Sequence, residues 1–173
     1  ERRAAAQAQI RQYPDPVLRQ RSKEVESFDA DLAALAGRMI RLMHDAHGAG
    51  LAAPQIGLLR RLFVYEPGGE EEPRVLVNPR IVEEGVEREV GGEGCLSLEV
   101  LLREDVSVPV ERAVHIRVEA QDVDGSPLAF AAEGMAARVI QHELDHLDGV
   151  LIIDRAAPDG RREAMRILRG ARV

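Results

Sequence analysis

The sequence is poor in cysteine and in long apolar segments, and each scarcity excludes a class of protein. Cys95 is the only cysteine among 173 residues, so no disulfide can form within the chain and a reducing compartment is expected. No apolar run approaches the roughly 20 residues that span a bilayer. Residues 1–9 lack the apolar stretch of a secretory signal. These absences predict a cytoplasmic protein without a membrane segment.

Positive charge is also in the minority. The chain has 23 Lys and Arg against 30 Asp and Glu, a net charge of −7, which argues against general affinity for DNA or another nucleic acid. No repeat, low-complexity block or long linker divides the chain, and its length suffices for one hydrophobic core. We therefore predict a single domain over residues 1–173, with residues 1–9 extended or disordered and residues 156–173 a basic helical tail.

Hydrophobic periodicity predicts an α+β fold. Apolar residues at helical spacing predict helices over about 17–21, 29–47, 133–147 and 158–172. Apolar runs bounded by Gly and Pro predict strands at 61–65, 74–77, 81–89, 101–108, 114–121, 127–131 and 150–153. Helices and strands do not alternate regularly, so a doubly wound parallel sheet is not expected. The order favours antiparallel β-sheets packed around a central helix, with an N-terminal helix and a C-terminal helix.

The strongest local signal lies on that central helix, where residues 142–146 read His-Glu-Leu-Asp-His. Two histidines four residues apart share one helical face and can bind one metal ion. Glu143 lies beside them, where it can exchange a proton with an attacking water. The alternative is a surface helix whose His, Glu and Asp side chains form only ion pairs. The HExxH motif by itself does not supply a third metal ligand.

Cys95 is the candidate third ligand, since no histidine follows His146. It stands in the run Gly91-Gly92-Glu93-Gly94-Cys95, whose glycines let the backbone approach a bound group closely. A thiolate is a strong ligand for a borderline-soft divalent metal. One cysteine and two histidines leave a fourth tetrahedral position for water, as an open catalytic site requires. A lone cysteine is otherwise an ordinary small core residue.

A third segment, residues 48–57, reads Gly-Ala-Gly-Leu-Ala-Ala-Pro-Gln-Ile-Gly. Its small residues permit close approach of another chain, and Gln55 carries an amide that can donate to a developing oxyanion. The alternative is a loop with a packed glycine corner.

These three segments together resemble the motifs of the peptide deformylase family. The family carries G-x-G-L-A-A-x-Q, E-G-C-L-S and Q-H-E-x-D-H in that order, which here stand as Gly48–Gln55, Glu93–Ser97 and Gln141–His146. The resemblance extends over about Ile10 to Arg155. It implies a hydrolase that removes the N-formyl group from the formyl-methionine of newly made polypeptides, giving formate and a free amino terminus.

The resemblance also implies a role for each matching residue. It implies one divalent metal ion per chain, Fe²⁺ in cells and Zn²⁺ or Ni²⁺ as purified, bound by Cys95, His142 and His146. It implies that Glu143 is the proton-transfer residue and that the oxyanion is stabilised by Gln55 and the backbone N–H of Leu96. Backbone groups at Gly50 and Gly94 are expected to pair with the extended substrate, and Arg138 is expected at the rim of the methionine pocket with its charged end in water. The implied substrate-binding set is Ala49, Gly50, Glu93, Gly94, Met135, Arg138 and Val139.

One segment departs from the family pattern. After Ser97 the family often continues with an apolar residue and proline, whereas this chain has Leu98-Glu99-Val100-Leu101-Leu102. Substrate preference or inhibitor fit is expected to differ here.

The C-terminal tail carries a positive charge on an acidic protein. Residues 155–173 contain six arginines against Asp159 and Glu163, a net charge of +4. The resemblance implies docking of this helix on the ribosome, and the alternative is a solvated amphipathic helix packed through Met165, Ile167 and Leu168. The protein is expected to be a monomer or a weak dimer.

Two other classes of protein stay open. A zinc endopeptidase would share the HExxH motif without needing Cys95 or Gln55. A metal-stabilised binding protein without turnover would keep the three ligands and be indifferent to Glu143 and Gln55.

Overall fold

The structure, a computed structural model, describes residues 1–171 as two antiparallel sheets and six α-helices. The helices are α1 (Arg2–Gln7), α2 (Ala30–Asp45), α3 (Glu99–Arg103), α4 (Gly134–Leu147), α5 (Ile152–Arg155) and α6 (Pro158–Gly170). The strands are β1 (Gly50–Ala52), β2 (Leu62–Tyr65), β3 (Arg74–Glu84), β4 (Arg88–Glu93), β5 (Val108–Ala113), β6 (His115–Gln121) and β7 (Pro127–Glu133). Short 3₁₀-helices lie at Pro16–Arg19 and Ala53–Ile56. No helix in residues 1–171 is long and apolar enough to cross a bilayer.

The larger sheet has the strand order β1-β2-β3-β6-β7, and β4 and β5 form a separate two-stranded ribbon. β2 is shared by the two layers of the core, since successive side chains of a strand point to opposite faces. Leu62 and Val64 pack in the cluster that contains α2, whereas Phe63 and Tyr65 pack in the cluster that contains α4. The five-stranded sheet is therefore covered by α2 on one face and by α4 on the other.

α4 is also tied to the two-stranded ribbon through Gln141. Its side-chain amide accepts a hydrogen bond from the Ala113 N–H at 3.1 Å and donates to the Ala113 carbonyl at 2.9 Å. Both atoms of a buried amide are thus satisfied by one backbone residue of β5. This contact holds α4 between the sheet and the ribbon. The predicted α+β arrangement, with antiparallel sheets around a central helix, is confirmed.

The expectation that residues 1–9 are extended or disordered is wrong, because α1 is a helix over residues 2–7. Three consecutive alanines, residues 4–6, favour helix formation. Ala6 is 3% exposed and packs in the core cluster of α2 and β1. Burial of one face against the rest of the protein stabilises a helix too short to form alone.

Two of the predicted strands lie partly in helices and not in strands of their own. The segment 101–108 begins within α3 and reaches β5 only at Val108. Leu98, Leu101 and Leu102 recur at helical spacing, and the ion pair of Arg103 with Glu99 at 2.6 Å supports the same turn. The segment 150–153 leads into α5. A short apolar run is compatible with a strand or with a buried helix, so hydrophobic periodicity does not predict which of the two it forms.

The predicted strands 74–77 and 81–89 are one strand, β3, followed by the start of β4. Asn78 has a positive φ of 49° and lies at a register irregularity between β3 and β6. Its side chain accepts from the Val25 N–H at 2.8 Å and donates to the Val25 carbonyl at 2.9 Å. These bonds stabilise the bulge, so the strand continues through a position that the sequence marks as a break.

Candidate active site

The three sequence segments meet at one cavity of about 280 Å³. α4 supplies His142 and Glu143, the turn after β4 supplies Cys95, and the 3₁₀-helix after β1 supplies Gln55. The segments lie far apart in sequence, and only the packing of α4 between sheet and ribbon brings them together.

Cys95, His142 and His146 form a compact group of metal-binding atoms. One potential ligand atom from each residue lies within 4.8 Å of the other two, and Cys95 Sγ is 3.3 Å from His146 Nε2. In a tetrahedral zinc site the bond lengths place such ligand atoms about 3.4–3.6 Å apart. Within residues 1–171 this is the one cluster of its kind that the structure contains. Asp148, the nearest downstream carboxylate, pairs instead with Arg61 at 2.9 Å.

His142 is oriented by a carboxylate behind it. Its Nδ1 is 2.8 Å from Glu93 Oε1, which leaves Nε2 to face the thiol. A second hydrogen bond of this kind fixes the tautomer and ring orientation of a histidine ligand. Burial lowers the pKa of His142, but the contacts with Cys95 and Glu93 dominate and raise it well above 6.5. Burial and the charge of His142 together lower the pKa of His146 well below 6.5, and the neutral imidazole is the form that binds a metal.

Glu93 is the centre of a buried ion-pair network. Arg112 donates to it in a fork, from Nε to Oε2 and from Nη2 to Oε1, both at 2.9 Å. Arg138 donates from Nη1 to Oε2 at 2.7 Å. Burial raises the pKa of Glu93, but hydrogen bonds from His142 and Arg112 outweigh it and lower the pKa to about 2. Glu93 lines the cavity, yet all its hydrogen-bonding capacity serves His142 and the two arginines.

Arg112 connects that network to α4. Its Nη1 donates to Asp145 Oδ2 at 2.6 Å, and Asp145 also accepts from Arg155 at 2.8 Å and 3.1 Å. Arg112 and Glu93 are 4% and 7% exposed, so an unpaired charge at either position would be costly. The network holds the HExxH helix against β5, and its Glu93 and Arg138 form part of the cavity wall.

Glu143 is buried at 3% exposure with its carboxylate beside Gly50 of β1. Its Oε2 is buried and has no hydrogen-bond partner among residues 1–171. Burial raises the pKa of Glu143 to about 7, with the positive charge of His142 opposing it. A carboxyl group with a pKa near neutrality can both accept and donate a proton at physiological pH.

Gln55 is held with its amide N–H groups toward the thiol. Its Oε1 accepts from the Ala52 N–H at 2.9 Å, and its Nε2 lies 3.1 Å from Ser97 Oγ and 3.8 Å from Cys95 Sγ. The backbone N–H of Leu96 donates to no acceptor within residues 1–171. Gln55 and Leu96 both line the cavity, so the Gln55 amide and the Leu96 N–H are its two candidate neutral donors.

The substrate-binding residues implied by the resemblance all line this cavity. Gly50 is on β1, an outer strand of the five-stranded sheet, and Gly94 follows β4. Met135 is 71% exposed and Val139 is 9% exposed, both on α4. Ala49 precedes β1 at the cavity wall.

The expectation for Arg138 is wrong in one respect, because its charged end is not in water. The side chain is 11% exposed, and its guanidinium donates to Glu93, to the Val110 carbonyl at 2.8 Å and to the Glu89 carbonyl at 2.9 Å. A Cβ on Gly91 would lie 3.0 Å from the guanidinium carbon, so this glycine makes room for it.

Several residues that support the site carry no local sequence signal. The carbonyl of Leu96 accepts hydrogen bonds from Gln7 Nε2 at 2.6 Å and from Gln12 Nε2 at 2.8 Å, and Arg112 is an isolated arginine in a strand. A glutamine in a helix or an arginine in a strand is ordinarily a surface residue. Only the long-range packing shows that these side chains position the segment Glu93–Ser97.

Comparison with known proteins identifies the family. Residues 7–162 match the polypeptide deformylase family. A peptide deformylase of Rhizobium meliloti is 49% identical over 144 residues, covering 82% of this chain and 80% of its own. Peptide deformylase 1 of Corynebacterium glutamicum is 42% identical over 165 residues, covering 94% and 95%.

A solved structure is similar over nearly the same span. The crystal structure of peptide deformylase from Thermus thermophilus matches with a TM-score of 0.84 and 42% identity, covering 94% of this chain and 93% of that one. With a family match over most of its length and relatives of this similarity, the chain belongs to the polypeptide deformylase family, hydrolases that remove the N-formyl group from the formyl-methionine of newly made polypeptides.

Proposed function

We propose that Cys95, His142 and His146 bind one divalent metal ion, and that Glu143, Gln55 and the Leu96 N–H carry out the deformylation. The observation that carries the proposal is the convergence of a three-residue ligand cluster, a buried carboxyl group and two neutral donors at one cavity. A purely structural metal site would need neither the carboxyl group nor the donors.

The residues present fit such an ion. The three ligand atoms lie within 4.8 Å of one another, with Cys95 Sγ and His146 Nε2 3.3 Å apart, and Glu143, whose buried Oε2 has no partner among residues 1–171, lines the same cavity. A mixed thiolate and imidazole set suits Fe²⁺, Zn²⁺ and Ni²⁺. We propose Fe²⁺ in cells and Zn²⁺ or Ni²⁺ in purified protein, which metal analysis after anaerobic and aerobic purification would distinguish.

The bound ion would lower the pKa of a water to near 7 and polarise the formyl oxygen. Glu143 accepts a proton from the attacking water as it adds to the formyl carbon. Gln55 Nε2 and the Leu96 N–H donate to the oxygen on which negative charge develops; losing one such donor typically costs about 2.7–4 kcal/mol. Glu143 then gives its proton to the leaving amine, and the products are formate and a free amino terminus.

The substrate would lie along the outer edge of β1. Backbone groups at Gly50 and Gly94 are placed to pair with an extended peptide, because an outer strand has unpaired N–H and C=O groups. Met135 and Val139 offer apolar contact for the methionine side chain, and the thioether suits an irregular apolar pocket. Arg138 forms part of the pocket wall through its bonds to β4 and β5 rather than by contact with water.

A formate-release assay with formyl-Met-Leu-Ser tests the proposal. The Glu143→Ala variant should keep its metal and lose nearly all activity, whereas Glu83→Ala, at an exposed carboxylate of β3, should be as active as the unaltered protein. Cleavage of an internal peptide bond would favour the endopeptidase alternative. Full activity of Glu143→Ala would contradict the mechanism.

We also propose that α6 docks on the ribosome. The helix packs through Ala164 and Leu168, and Arg161 and Arg169 are exposed without partners among residues 1–171. A surface of free arginines suits the phosphate backbone of ribosomal RNA. A chain ending at Ala156 should lose co-sedimentation with ribosomes.

Because that truncation also removes core contacts, a charge-reversed form is the sharper test. Arg161→Glu with Arg169→Glu should lose co-sedimentation in low salt while Arg117→Glu, at an exposed and unpaired arginine of β6, retains it. Unchanged binding of the doubly reversed form would refute the docking proposal. Chromatography with light scattering tests the expectation of a monomer or weak dimer, and cell fractionation tests the expectation of a cytoplasmic protein.

A further inference from the structure

Arg3 of α1 lines the same cavity as Gln55, Cys95 and Glu143. It is exposed and has no hydrogen-bond or ion-pair partner among residues 1–171. The match to the family begins at residue 7, so Arg3 lies outside the segment that the family shares. Arg3 is neither a metal-binding residue nor part of the proposed catalytic machinery.

The position of Arg3 is set by the packing of α1. Arg3, Ala6 and Gln7 are three and four residues apart and therefore share one helical face. Ala6 is buried in the core cluster that includes Leu96, and Gln7 donates to the Leu96 carbonyl at 2.6 Å. These two anchors turn the face that carries Arg3 toward the cavity.

The charges around this part of the cavity leave the guanidinium uncompensated. Two carboxylates line the cavity, and Glu93 is already bound by two arginines and His142, while Glu143 lies beside Gly50 next to the metal-binding atoms. The acidic residues closest to α1 and to the end of α2, Glu1 and Asp45, do not line it. A carboxylate that entered here would therefore meet a free arginine.

A bound peptide would lead toward this arginine. If the formyl group lies at the metal-binding atoms beside Gly50, the chain that follows extends along the segment Gly48–Gly50, and these residues line the cavity together with Arg3. An extended peptide advances about 3.3 Å per residue, so the second and third residues of the substrate come past Gly48. The planar guanidinium fork matches a carboxylate and can bind it through two hydrogen bonds.

We propose that Arg3 is a specificity-determining residue that favours formylated peptides with Asp or Glu at the second or third position. The inference rests on the proposed deformylase function of the same site. Because Arg3 is exposed, the preference is modest, about two- to fivefold in kcat/KM, as the measured strength of exposed ion pairs implies. It weakens with added salt because solvent-exposed charges are screened.

Matched peptides test the proposal. Formyl-Met-Asp-Ser-amide is compared with formyl-Met-Asn-Ser-amide, and formyl-Met-Ser-Asp-amide with formyl-Met-Ser-Asn-amide, so that charge changes while shape stays nearly constant. The amidated ends remove the terminal carboxylate. The ratio of kcat/KM for the acidic peptide to that for its Asn counterpart should be about two to five in at least one pair.

The variants assign that ratio to Arg3. Arg3→Ala should bring it to about one, Arg3→Glu should invert it, and Arg3→Lys should retain most of it. Arg2→Ala, at the neighbouring exposed arginine, should leave it unchanged. An equal ratio in the unaltered protein and in Arg3→Ala would overturn the inference alone, whereas absence of formate from every Asn peptide would overturn the proposed function and this inference with it.

Discussion

Gly50 lies where β1 passes beside the carboxylate of Glu143, and replacing it with alanine should displace that carboxylate. An added Cβ would lie 2.5 Å from Glu143 Oε1, 2.8 Å from Cδ and 2.9 Å from Cγ. Ordinary contacts begin at 3.4 Å, so the side chain must shift by about 1 Å to relieve all three overlaps. A misplacement of about 1 Å at a reacting group can reduce the rate roughly 10²-fold.

We expect Gly50→Ala to lower kcat for formyl-Met-Leu-Ser about 100-fold while the protein stays folded and keeps its metal. The fold is retained because the three overlapping atoms belong to a side chain, so no backbone has to move. A rise in KM with kcat unchanged would instead mean that the methyl group blocks the substrate.

Gly37→Ala is the matched control. Its Cβ would lie 3.5 Å from the Arg41 guanidinium within α2, an ordinary contact, and alanine is favoured over glycine in a helix by about 0.5–1 kcal/mol. Its activity should equal that of the unaltered protein. Activity of metal-loaded Gly50→Ala within threefold of normal would refute the idea that Gly50 sets the position of the Glu143 carboxylate.

Three further predictions concern the groups behind the site. Arg112→Leu leaves two buried carboxylates without their shared partner and should lower the free energy of unfolding in urea by about 3–5 kcal/mol, whereas Arg80→Leu, at an exposed ion pair, should change it by less than about 1 kcal/mol. The pKa of Glu93 in the folded protein is lowered to about 2. Ionised Glu93 therefore stabilises the folded protein fully above the unfolded pKa of about 4.3, and this stabilisation is lost as the pH falls toward 2. The Glu93→Gln variant should lack this loss of stability in acid denaturation, and equal acid sensitivity of the two proteins would contradict the prediction. Gln7→Ala removes a buried hydrogen bond to the Leu96 carbonyl and should lower the melting temperature and kcat together; an unchanged kcat would show that Gln7 does not position the oxyanion donor.

A buried ion-pair network supports the helix that carries the HExxH motif. Each charge is paired: Glu93 with Arg112 and Arg138, and Asp145 with Arg112 and Arg155. Such pairs contribute little net stability, because desolvation offsets their attraction. Their effect is positional, since they fix the face of α4 that meets the cavity.

The sequence by itself determined the elements whose signals are local. The spacing of His142 and His146 places two imidazoles on one face of a helix, and three motifs in order indicate the family. Helical periodicity over many residues also predicted α2 and α4 correctly. These patterns can be read from the sequence because the residues that form them are neighbours in the chain.

Only the tertiary structure decided the features that depend on distant residues. The pairing of Glu93 with Arg112, the buried guanidinium of Arg138 and the presence of Arg3 at the cavity join parts of the chain that no local pattern connects. The short apolar run 150–153 ends in α5 for the same reason, since its packing and not its hydrophobic period determines its conformation. Burial and ion pairing depend on residues that are distant in sequence, whereas the motifs are patterns of neighbouring residues.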